Sequence, residues 1–534
     1  MLTARSCMKP FAPDAWSGPV TAGHARAGHN KISFKRINND SPVNQMDLQA
    51  FFRNHSAIFE TKPIAKLMEC TGGVHGLKKV LSPFELTLLG IGAIIGTGIF
   101  VITGVVAANY SGPALVVSFI ISGIVCAFAA LSYAEFAAMV PVAGSAYTYG
   151  YASLGEIWAW IIGWDLILEY SVSIAAVAVG WSGYMVNLLT AVGIILPPAL
   201  INPPGTAGGL VNVPAILIIL AITALLIIGV KESARVNNVI VLVKIGVILL
   251  FLFLAFSHIN PANWTPFMPY GWTGVLTGAA IVFFAYIGFD AVSTAAEEVR
   301  DPQRNVPIGI ISSLVVATVL YIAVSAVLTG IVPYLAFKNT SAPVAFALGQ
   351  IGISWGSALV SVGAICGITS VLIVLLYGQT RIFFAMSRDG LLPPVFRELH
   401  PVYRTPARVT LLVGLVTAVI ASLLPLQTIA ELVNIGTLFA FIIVSLGVIV
   451  LRRTRPEIAR PFRCPFVPWI PLLCIISCGV LIVMLPLVTH LRFVIWLAIG
   501  LVVYFAYGMH HTRLHEDTAG LGCWGAEDSE KGGE

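Results

Sequence analysis

The chain has 534 residues and a formal net charge of +5, and 57% of its residues are hydrophobic while only 10% are charged. Soluble proteins carry about 25% charged residues, so this composition excludes an ordinary soluble enzyme. It predicts an all-α integral membrane protein, because a helix satisfies its backbone hydrogen bonds within one segment. The 8 cysteines show neither CxxC spacing nor a cluster with histidine, so we expect no metal site and no disulfide framework.

The first 80 residues are polar and contain no apolar run of signal-peptide length. They predict a cytoplasmic N-terminal tail over residues 1–80. Within it, Met46 opens the stretch MDLQAFFRN, which has the form of a bacterial start. Residues 1–45 are therefore either a mis-assigned start or a disordered extension.

About twelve apolar runs follow, each long enough for the roughly 20 residues of helix that cross a bilayer. They predict spans near residues 84–107, 113–139, 156–183, 211–230, 238–258, 273–297, 307–332, 357–386, 409–425, 428–451, 467–487 and 491–509. The first ten form a predicted transport core over residues 81–452, and the last two a helix pair over residues 453–510. Residues 511–534 are a predicted cytoplasmic C-terminal tail.

The lysines and arginines between the runs set the predicted orientation, because cytoplasmic loops carry an excess of them. With the N-terminus inside, only Lys338 and Arg492 fall in the outer loops. The inner loops hold Lys231, Arg235, Arg300, Arg304, Arg381, Arg388, Arg397, Arg404, Arg408, Arg452, Arg453, Arg455, Arg460 and Arg463. We therefore expect a multi-pass plasma-membrane protein with both termini in the cytoplasm.

The first run is interrupted by glycines in the sequence GIGAIIGTGIF, which holds Gly90, Gly92, Gly96 and Gly98. Each glycine costs a helix interior about 1 kcal/mol relative to alanine, so four this close predict local unwinding. Unwound backbone at membrane depth occurs where it is buried in protein or lines a cavity. The alternative is close helix packing through the GxxxG formed by Gly92 and Gly96.

The sixth run, FFAYIGFDAVSTAAEE at residues 283–298, has a matching interruption. Gly288 lies between two aromatic residues, and Asp290 follows it in an apolar run, where we expect it to cap a new half-helix from Ala291. The two interruptions occupy the same place in two groups of five runs. Paired interruptions of this kind point to a binding site near the bilayer midplane of a transporter.

The backbone of the two breaks suits an amino acid. Free N–H groups at the start of a half-helix attract a carboxylate, and free carbonyl groups accept from an ammonium group. The predicted carboxylate site comprises Ile95, Gly96, Thr97 and Gly98. The predicted ammonium site comprises Phe284, Ala285 and Ile287.

At these residues the chain resembles the amino acid–polyamine–organocation transporters, specifically the bacterial branch of the cationic amino acid transporter family. The matching stretches are PFELTLLGIGAIIGTGIFVITG, SARVNNVIVLVKIGVILL, FFAYIGFDAVSTAAEEVRDPQRNVPIGI and YGQTRIFFAMSRDGLLP, within roughly residues 65–510. The resemblance implies a LeuT-like five-plus-five inverted repeat with broken helices one and six, and with spans eleven and twelve outside the repeat. It also implies alternating access to a site between spans one, three, six, eight and ten.

Lys244 lies some seven residues into the fifth run, about 10 Å deep at 1.5 Å per residue. Snorkelling to the interface is the alternative to a functional role, but the stem is short for that depth. Burial disfavours the charged ammonium, so a lysine here can exchange a proton. The resemblance implies the same role, since in proton-coupled members a lysine replaces the sodium ion of sodium-coupled relatives. Thr369 and Ser370 resemble hydroxyl ligands of that former sodium site.

Three further acids lie within the runs: Glu135, Asp165 and Glu169. Each is a candidate for proton relay or for hydrogen bonds that lock helices together. We favour the structural role, although Glu169 resembles a recurrent family position.

The sequence contains no HExxH motif, no mid-membrane histidine and no other catalytic constellation, so we expect no enzyme. We predict proton-coupled uptake of neutral amino acids, with the proton as coupling ion and no other cofactor. Phe284, Ile287 and Ile368 give the predicted pocket an apolar wall. The alternative is a transporter or exchanger of cationic amino acids or polyamines. The expected partners are the amino acid and the lipid bilayer, without nucleic acid or an obligatory protein partner.

Overall fold

The computed structural model describes residues 61–62, 81–142, 145–206, 208–228, 234–403 and 405–512. Most of the two predicted tails lies outside the described residues. This includes residues 1–45, for which a mis-assigned start or a disordered extension was expected. The proposed division at residue 452 stays a prediction.

Within the described residues, twelve helices of 12 residues or more correspond one to one with the predicted spans, and we number them α1 to α12. They are α1 Pro83–Ile94, α2 Leu115–Met139, α3 Glu156–Ala191, α4 Val213–Ile228, α5 Ala234–Phe256, α6 Gly271–Val282, α7 Pro302–Ile331, α8 Ser354–Arg388, α9 Ala407–Leu423, α10 Leu426–Thr454, α11 Trp469–Val483 and α12 Leu487–Val503. In the described ranges, eight helical stretches are long and apolar enough to cross a membrane, and four shorter apolar helices of 10–17 residues accompany them. The prediction of an all-α membrane protein is confirmed.

A capping box fixes the start of α1. The Ser82 hydroxyl accepts from the Glu85 N–H at 3.3 Å, and the Glu85 carboxylate accepts from the Ser82 N–H at 2.8 Å. Two free N–H groups of the first turn are thereby satisfied. Just before the cap, the N–H of Leu81 donates to the carbonyl of Glu298 at 3.0 Å. The start of α1 is therefore tied to the end of the sixth span.

Both predicted breaks are confirmed. The first α-helical stretch ends at Ile94, Ile95 is extended (φ −77°, ψ 105°), and the chain resumes in a π-helical turn over Gly98–Ile102. In the sixth span, α6 passes into a 3-10 turn over Phe283–Tyr286, followed by extended Ile287 (φ −61°, ψ 137°). Unwinding has prevailed over an unbroken packing helix, because four glycines weaken the first span and Gly288 adopts φ +114°, which favours glycine.

The expected cap by Asp290 is wrong. Asp290 precedes the short helix Ala291–Thr294, but its own backbone is helical (φ −68°, ψ −29°) and its side chain makes no capping hydrogen bond. A capping residue is normally extended, whereas here the turn has begun at Gly288. The Asp290 carboxylate instead faces the Ser145 hydroxyl at 3.5 Å.

The packing of the helices repeats with a period of five. α1 packs against α5 and α7, and α6 packs against α10 and α2. The pairs α2–α7, α3–α8 and α4–α9 also pack together. Because each group has an odd number of spans, the second group crosses the membrane in the opposite sense to the first. This arrangement agrees with the five-plus-five inverted repeat.

Candidate functional site

The two breaks lie against each other at two glycines. A Cβ atom on Gly98 would stand 2.4 Å from the Cα of Ala285, and one on Gly288 would stand 2.9 Å from the backbone of Ala93. Real Cβ atoms do not approach other atoms so closely. The absence of side chains at these positions therefore brings the two unwound segments into direct contact.

Tyr321 of α7 joins the breaks through its hydroxyl group. The hydroxyl oxygen lies 3.0 Å from the carbonyl oxygen of Ile94 and 2.7 Å from that of Ala285. The single hydroxyl proton is shared between two carbonyls exposed by the unwinding, so one buried donor serves both breaks, and unwound backbone inside a membrane needs such a donor. Sequence reasoning missed Tyr321, because a tyrosine in an apolar run carries no sign of the element that it faces.

A cavity of about 20 Å³ lies at the junction of the breaks, with room for little more than one water molecule. Five predicted site residues line it: Gly96, Thr97, Gly98, Phe284 and Ile287. Three other predicted residues, Ile95, Ala285 and Ile368, are buried nearby but are not part of its lining. The lining also includes Ala93, Ile94, Ser173, Val177, Val371 and Leu375.

Ile368 was expected at the side-chain end of the pocket, and Val371 and Leu375 take that place. They lie one and two turns further along α8, so the cavity is offset along the helix from the predicted position. The lining residues of α3, Ser173 and Val177, were not predicted either. Small residues are common in membrane helices, so only their neighbours distinguish these two.

Several polar groups at the cavity have no partner in the part of the chain that the structure describes. The N–H groups of Gly96 and Thr97 donate to no backbone carbonyl there, and the carbonyl of Ile287 accepts no backbone hydrogen bond. The buried Ser173 hydroxyl also lacks a partner. By contrast, the carbonyl of Phe284 accepts from the Ile287 N–H at 3.3 Å. The lining residues therefore carry unpaired backbone N–H groups in the first break and an unpaired carbonyl in the second.

Lys244 of α5 is fully buried, and its ammonium group reaches the first break. Its Nζ donates to the carbonyls of Gly92 at 2.9 Å and Ile95 at 2.8 Å, and to the Ser370 hydroxyl of α8 at 3.2 Å. An ammonium group has three N–H donors, and these three acceptors match them. The structure thus places Lys244 and Ser370 together, as expected, and shows that snorkelling does not occur.

Thr369 and Glu169 are placed differently from Ser370. The Thr369 hydroxyl accepts from the Trp181 indole at 3.0 Å and donates to the Ile365 carbonyl, and it makes no described hydrogen bond to Lys244. Glu169 is buried on α3, close enough to Asp165 and Asp290 to interact with both electrostatically. Glu169 therefore belongs to a buried acidic group beside the breaks.

The other two buried acids differ in their surroundings. Glu135 accepts from the Arg452 guanidinium at 2.9 and 2.6 Å and from the Cys464 N–H at 2.8 Å, so its predicted role in locking helices is confirmed. Asp165 is buried, and neither of its carboxylate oxygens has a hydrogen-bond partner among the described residues. A Cβ atom on Gly436 of α10 would stand 2.6 Å from one of these oxygens.

The model of one protein family, described as "Amino acid permease", matches residues 81–506. A branched-chain amino acid permease, BcaP of Bacillus subtilis (strain 168), is 52% identical over 463 residues, covering 86% of this chain and 99% of that protein. A methylthioribose transporter of the same organism is 54% identical over 462 residues, covering 86% of this chain and 100% of that protein. Human cationic amino acid transporter 4 is 40% identical over 390 residues, which are 70% of this chain and 60% of that protein.

Proposed function

This chain belongs to the amino acid permease family, and on that premise we propose that it carries neutral, branched-chain amino acids together with protons. The observation on which the proposal rests is the uncharged cavity where the two breaks meet, whose lining residues carry unpaired backbone N–H groups in the first break and an unpaired carbonyl in the second. We further propose the plasma membrane as its location, with the arginine-rich loops and both termini in the cytoplasm.

The backbone groups suit the two charges of an amino acid. The N–H groups of Gly96 and Thr97 would bind the carboxylate, and the carbonyl of Ile287 would accept from the ammonium group. Charge-assisted hydrogen bonds of this kind are about twice as strong as neutral ones. The carbonyl of Ala285 contributes less than we expected from sequence, because Tyr321 already occupies it.

The walls of the cavity favour an apolar side chain. Val177, Val371 and Leu375 face the space beside Phe284, and no acidic residue is among the described lining residues. Each methylene group that enters such a site gains about 0.8 kcal/mol from burial. A guanidinium or a second ammonium group would lose its hydration without finding a partner. The site therefore favours leucine, isoleucine or valine over arginine or lysine.

Lys244 supports the coupling to protons. Its charged form holds two carbonyls of the first break, whereas a neutral amine has one N–H donor fewer and binds them less tightly. The same break supplies the donors proposed for the substrate carboxylate. Loss of the proton would therefore loosen the segment that binds the substrate, which couples the two events.

The test is uptake of labelled leucine by the purified protein in liposomes, with and without an acidic external pH. We expect the pH gradient to drive accumulation, and unlabelled isoleucine to compete while arginine does not. Equal uptake with and without the gradient would contradict the proton coupling but not the proposed substrate. Strong competition by arginine would contradict the neutral substrate and favour the cationic alternative.

Methylthioribose is the second candidate substrate, because one similar protein is a methylthioribose transporter and the cavity contains the unpaired hydroxyl of Ser173. A thiosugar combines an apolar methylthio group with several hydroxyls, one of which could pair with Ser173. Methylthioribose therefore belongs among the competitors. Its competition at lower concentration than leucine would assign the sugar as the preferred substrate.

A further inference from the structure

The loop between α10 and α11 contains two arginines that a buried carboxylate holds in place. Arg452 forms a two-pronged pair with Glu135 of α2, at 2.9 and 2.6 Å, and Arg460 lies 3.4 Å from the same carboxylate. Only 1% of the Glu135 side chain is exposed, against 7% of that of Arg460. Paired charges that are screened from water hold their geometry well. This end of the loop is therefore anchored to the helix bundle.

The guanidinium of Arg460 also organises the loop around itself. It donates to the carbonyl oxygens of Ile458 at 2.8 Å, Arg455 at 2.9 Å, Leu451 at 3.1 Å and Pro456 at 3.2 Å. The Cys464 N–H closes the loop by donating to Glu135 at 2.8 Å. These bonds fix the backbone from which the other arginines of the loop project.

Three other arginines of this loop, Arg453, Arg455 and Arg463, are exposed and their side chains make no ion pair or hydrogen bond among the described residues. Glu457, also exposed, is the acid that this loop carries. Burial raises the pKa of the Cys464 thiol to about 12, so the thiol adds no negative charge. Five arginines against Glu457 and Glu135 leave three positive charges in excess.

The helix that follows shows where the loop stands relative to the bilayer. Trp469, Leu473, Ile476 and Val480 of α11 are 69%, 45%, 61% and 44% exposed, and their spacing places them on one helix face. An apolar face of this kind on a membrane helix meets lipid tails, and tryptophan marks its interfacial end. Phe466, which is 79% exposed, precedes Trp469 in the loop. The three free arginines therefore stand at the level of the lipid headgroups.

We propose that Arg453, Arg455 and Arg463 form a docking site for the phosphate headgroup of an anionic phospholipid, with Phe466 and Trp469 against its glycerol and upper acyl region. Clusters of basic residues next to a membrane helix attract anionic lipids. A soluble phosphate ligand would match the arginines but would leave the two exposed aromatic rings without a partner. Because Glu135 anchors the loop to α2, a bound lipid also strengthens the attachment of α10 and α11 to the bundle.

The experiment measures the melting temperature of the detergent-purified full chain during titration with phosphatidylglycerol, phosphatidylcholine or soluble glycerol phosphate. We expect phosphatidylglycerol alone to raise it. The triple variant Arg453→Gln/Arg455→Gln/Arg463→Gln should need roughly 10- to 100-fold more of that lipid for the same rise. The triple Arg→Lys variant keeps the charge and should stay within a few-fold of the wild type. Arg300→Gln/Arg304→Gln/Arg492→Gln removes three exposed charges elsewhere and should also stay close to the wild type.

An equal response of the wild type and the loop Gln variant would overturn the site, as would the absence of any response in the wild type. Stabilisation by glycerol phosphate at similar concentrations would assign a free-anion site instead of a lipid site. If the Gln variant fails to fold, native mass spectrometry of the Lys variant and of Trp469→Gln decides the question. Fewer bound phosphatidylglycerol molecules on Trp469→Gln are expected, and an unchanged number would contradict the interfacial contact.

Discussion

Lys244 occupies a position in which burial and hydrogen bonding oppose each other. No part of its side chain is exposed, yet the ammonium group has three hydrogen-bond acceptors. Two of them are carbonyls next to the break in the first span, where the helical hydrogen bonds are interrupted. The stem passes Gly367 of α8, where a Cβ atom would stand 2.9 Å from the lysine Cε. The contact between Lys244 and the break therefore depends on a glycine that faces it from another helix.

The first prediction uses this contact. Lys244→Ala should abolish uptake driven by a pH gradient, because no proton-carrying group then reaches the break. Gly367→Ala should weaken it severalfold by displacing the lysine stem while the ammonium group remains. The measurement is uptake in liposomes at external pH 6 and pH 8, with Gly246→Ala of α5 as the control, since a Cβ atom there meets nothing within 4 Å. Gradient-driven uptake by folded Lys244→Ala at the wild-type rate would refute the proposed role.

The second prediction concerns selectivity and follows from the offset of the cavity along α8. Val371→Ser places a hydroxyl in the lining and removes a methyl group. Leucine would then bury less apolar surface against a more polar wall, so we expect it to compete roughly tenfold less well against a labelled substrate. Ile368→Ser, outside the lining, should change competition much less. The readout is the concentration of leucine that halves uptake. A larger effect at Ile368 than at Val371 would instead support the pocket position predicted from the sequence, with Ile368 in its wall.

At the scale of elements, the two broken spans act as one unit. Gly98 against Ala285, Gly288 against Ala93, and Tyr321 between Ile94 and Ala285 are three separate contacts across the same junction. Packed interiors do not absorb added atoms without displacement, so a change in one break is transmitted to the other. The N–H groups proposed to bind the substrate and the carbonyls that accept from Lys244 thus belong to a single packed structure.

The third prediction tests this unit. Gly98→Ala would push its Cβ atom into the backbone of Ala285, and overpacking of this kind costs about 1–3 kcal/mol. We expect a lower melting temperature and loss of the stabilisation that leucine gives, because ligand binding stabilises only a state that retains the site. Gly246→Ala again serves as the control. Wild-type stabilisation of Gly98→Ala by leucine would mean that the substrate binds elsewhere.

At the scale of the whole molecule, the sequence predicted those features that the composition of a single segment determines. Clustered glycines identified the break in the first span, and the depth of Lys244 identified a buried amine. Features that need a second segment were not predicted: Tyr321 and Ser173 resemble ordinary members of apolar helices, and only packing shows that they reach the junction. The cap expected at Asp290 failed for the same reason, because the turn starts at Gly288, where close packing on Ala93 requires a glycine.

The whole molecule must also change shape to transport. A cavity of about 20 Å³ is too small for the proposed substrate leucine, so on the proposed function the helices around it have to separate when the amino acid enters. One contact that opposes separation lies at the end of α8. There Asp389 accepts from the Tyr147 hydroxyl at 2.8 Å and pairs with Lys62 at 3.2 Å. Tyr147 belongs to the short helix Ser145–Ser153 between α2 and α3, so this carboxylate joins three parts of the chain on the side of the basic loops.

The fourth prediction is that Asp389→Asn opens the cavity towards that side. The amide keeps a hydrogen bond to Tyr147 but loses the ion pair with Lys62. The side chains of Lys62 and Asp389 are only 12% and 10% exposed, so their attraction is partly protected from screening by salt. A cysteine at Ser173, in a background without the native cysteines, would report access to the cavity. We expect a membrane-impermeant maleimide, added from the side of the basic loops, to label Ser173→Cys severalfold faster when Asp389→Asn is present.

Arg408→Gln, which breaks an exposed pair with Glu398, is the matched control and should leave the labelling rate unchanged. Equal labelling rates with and without Asp389→Asn would show that this contact does not hold the cavity closed.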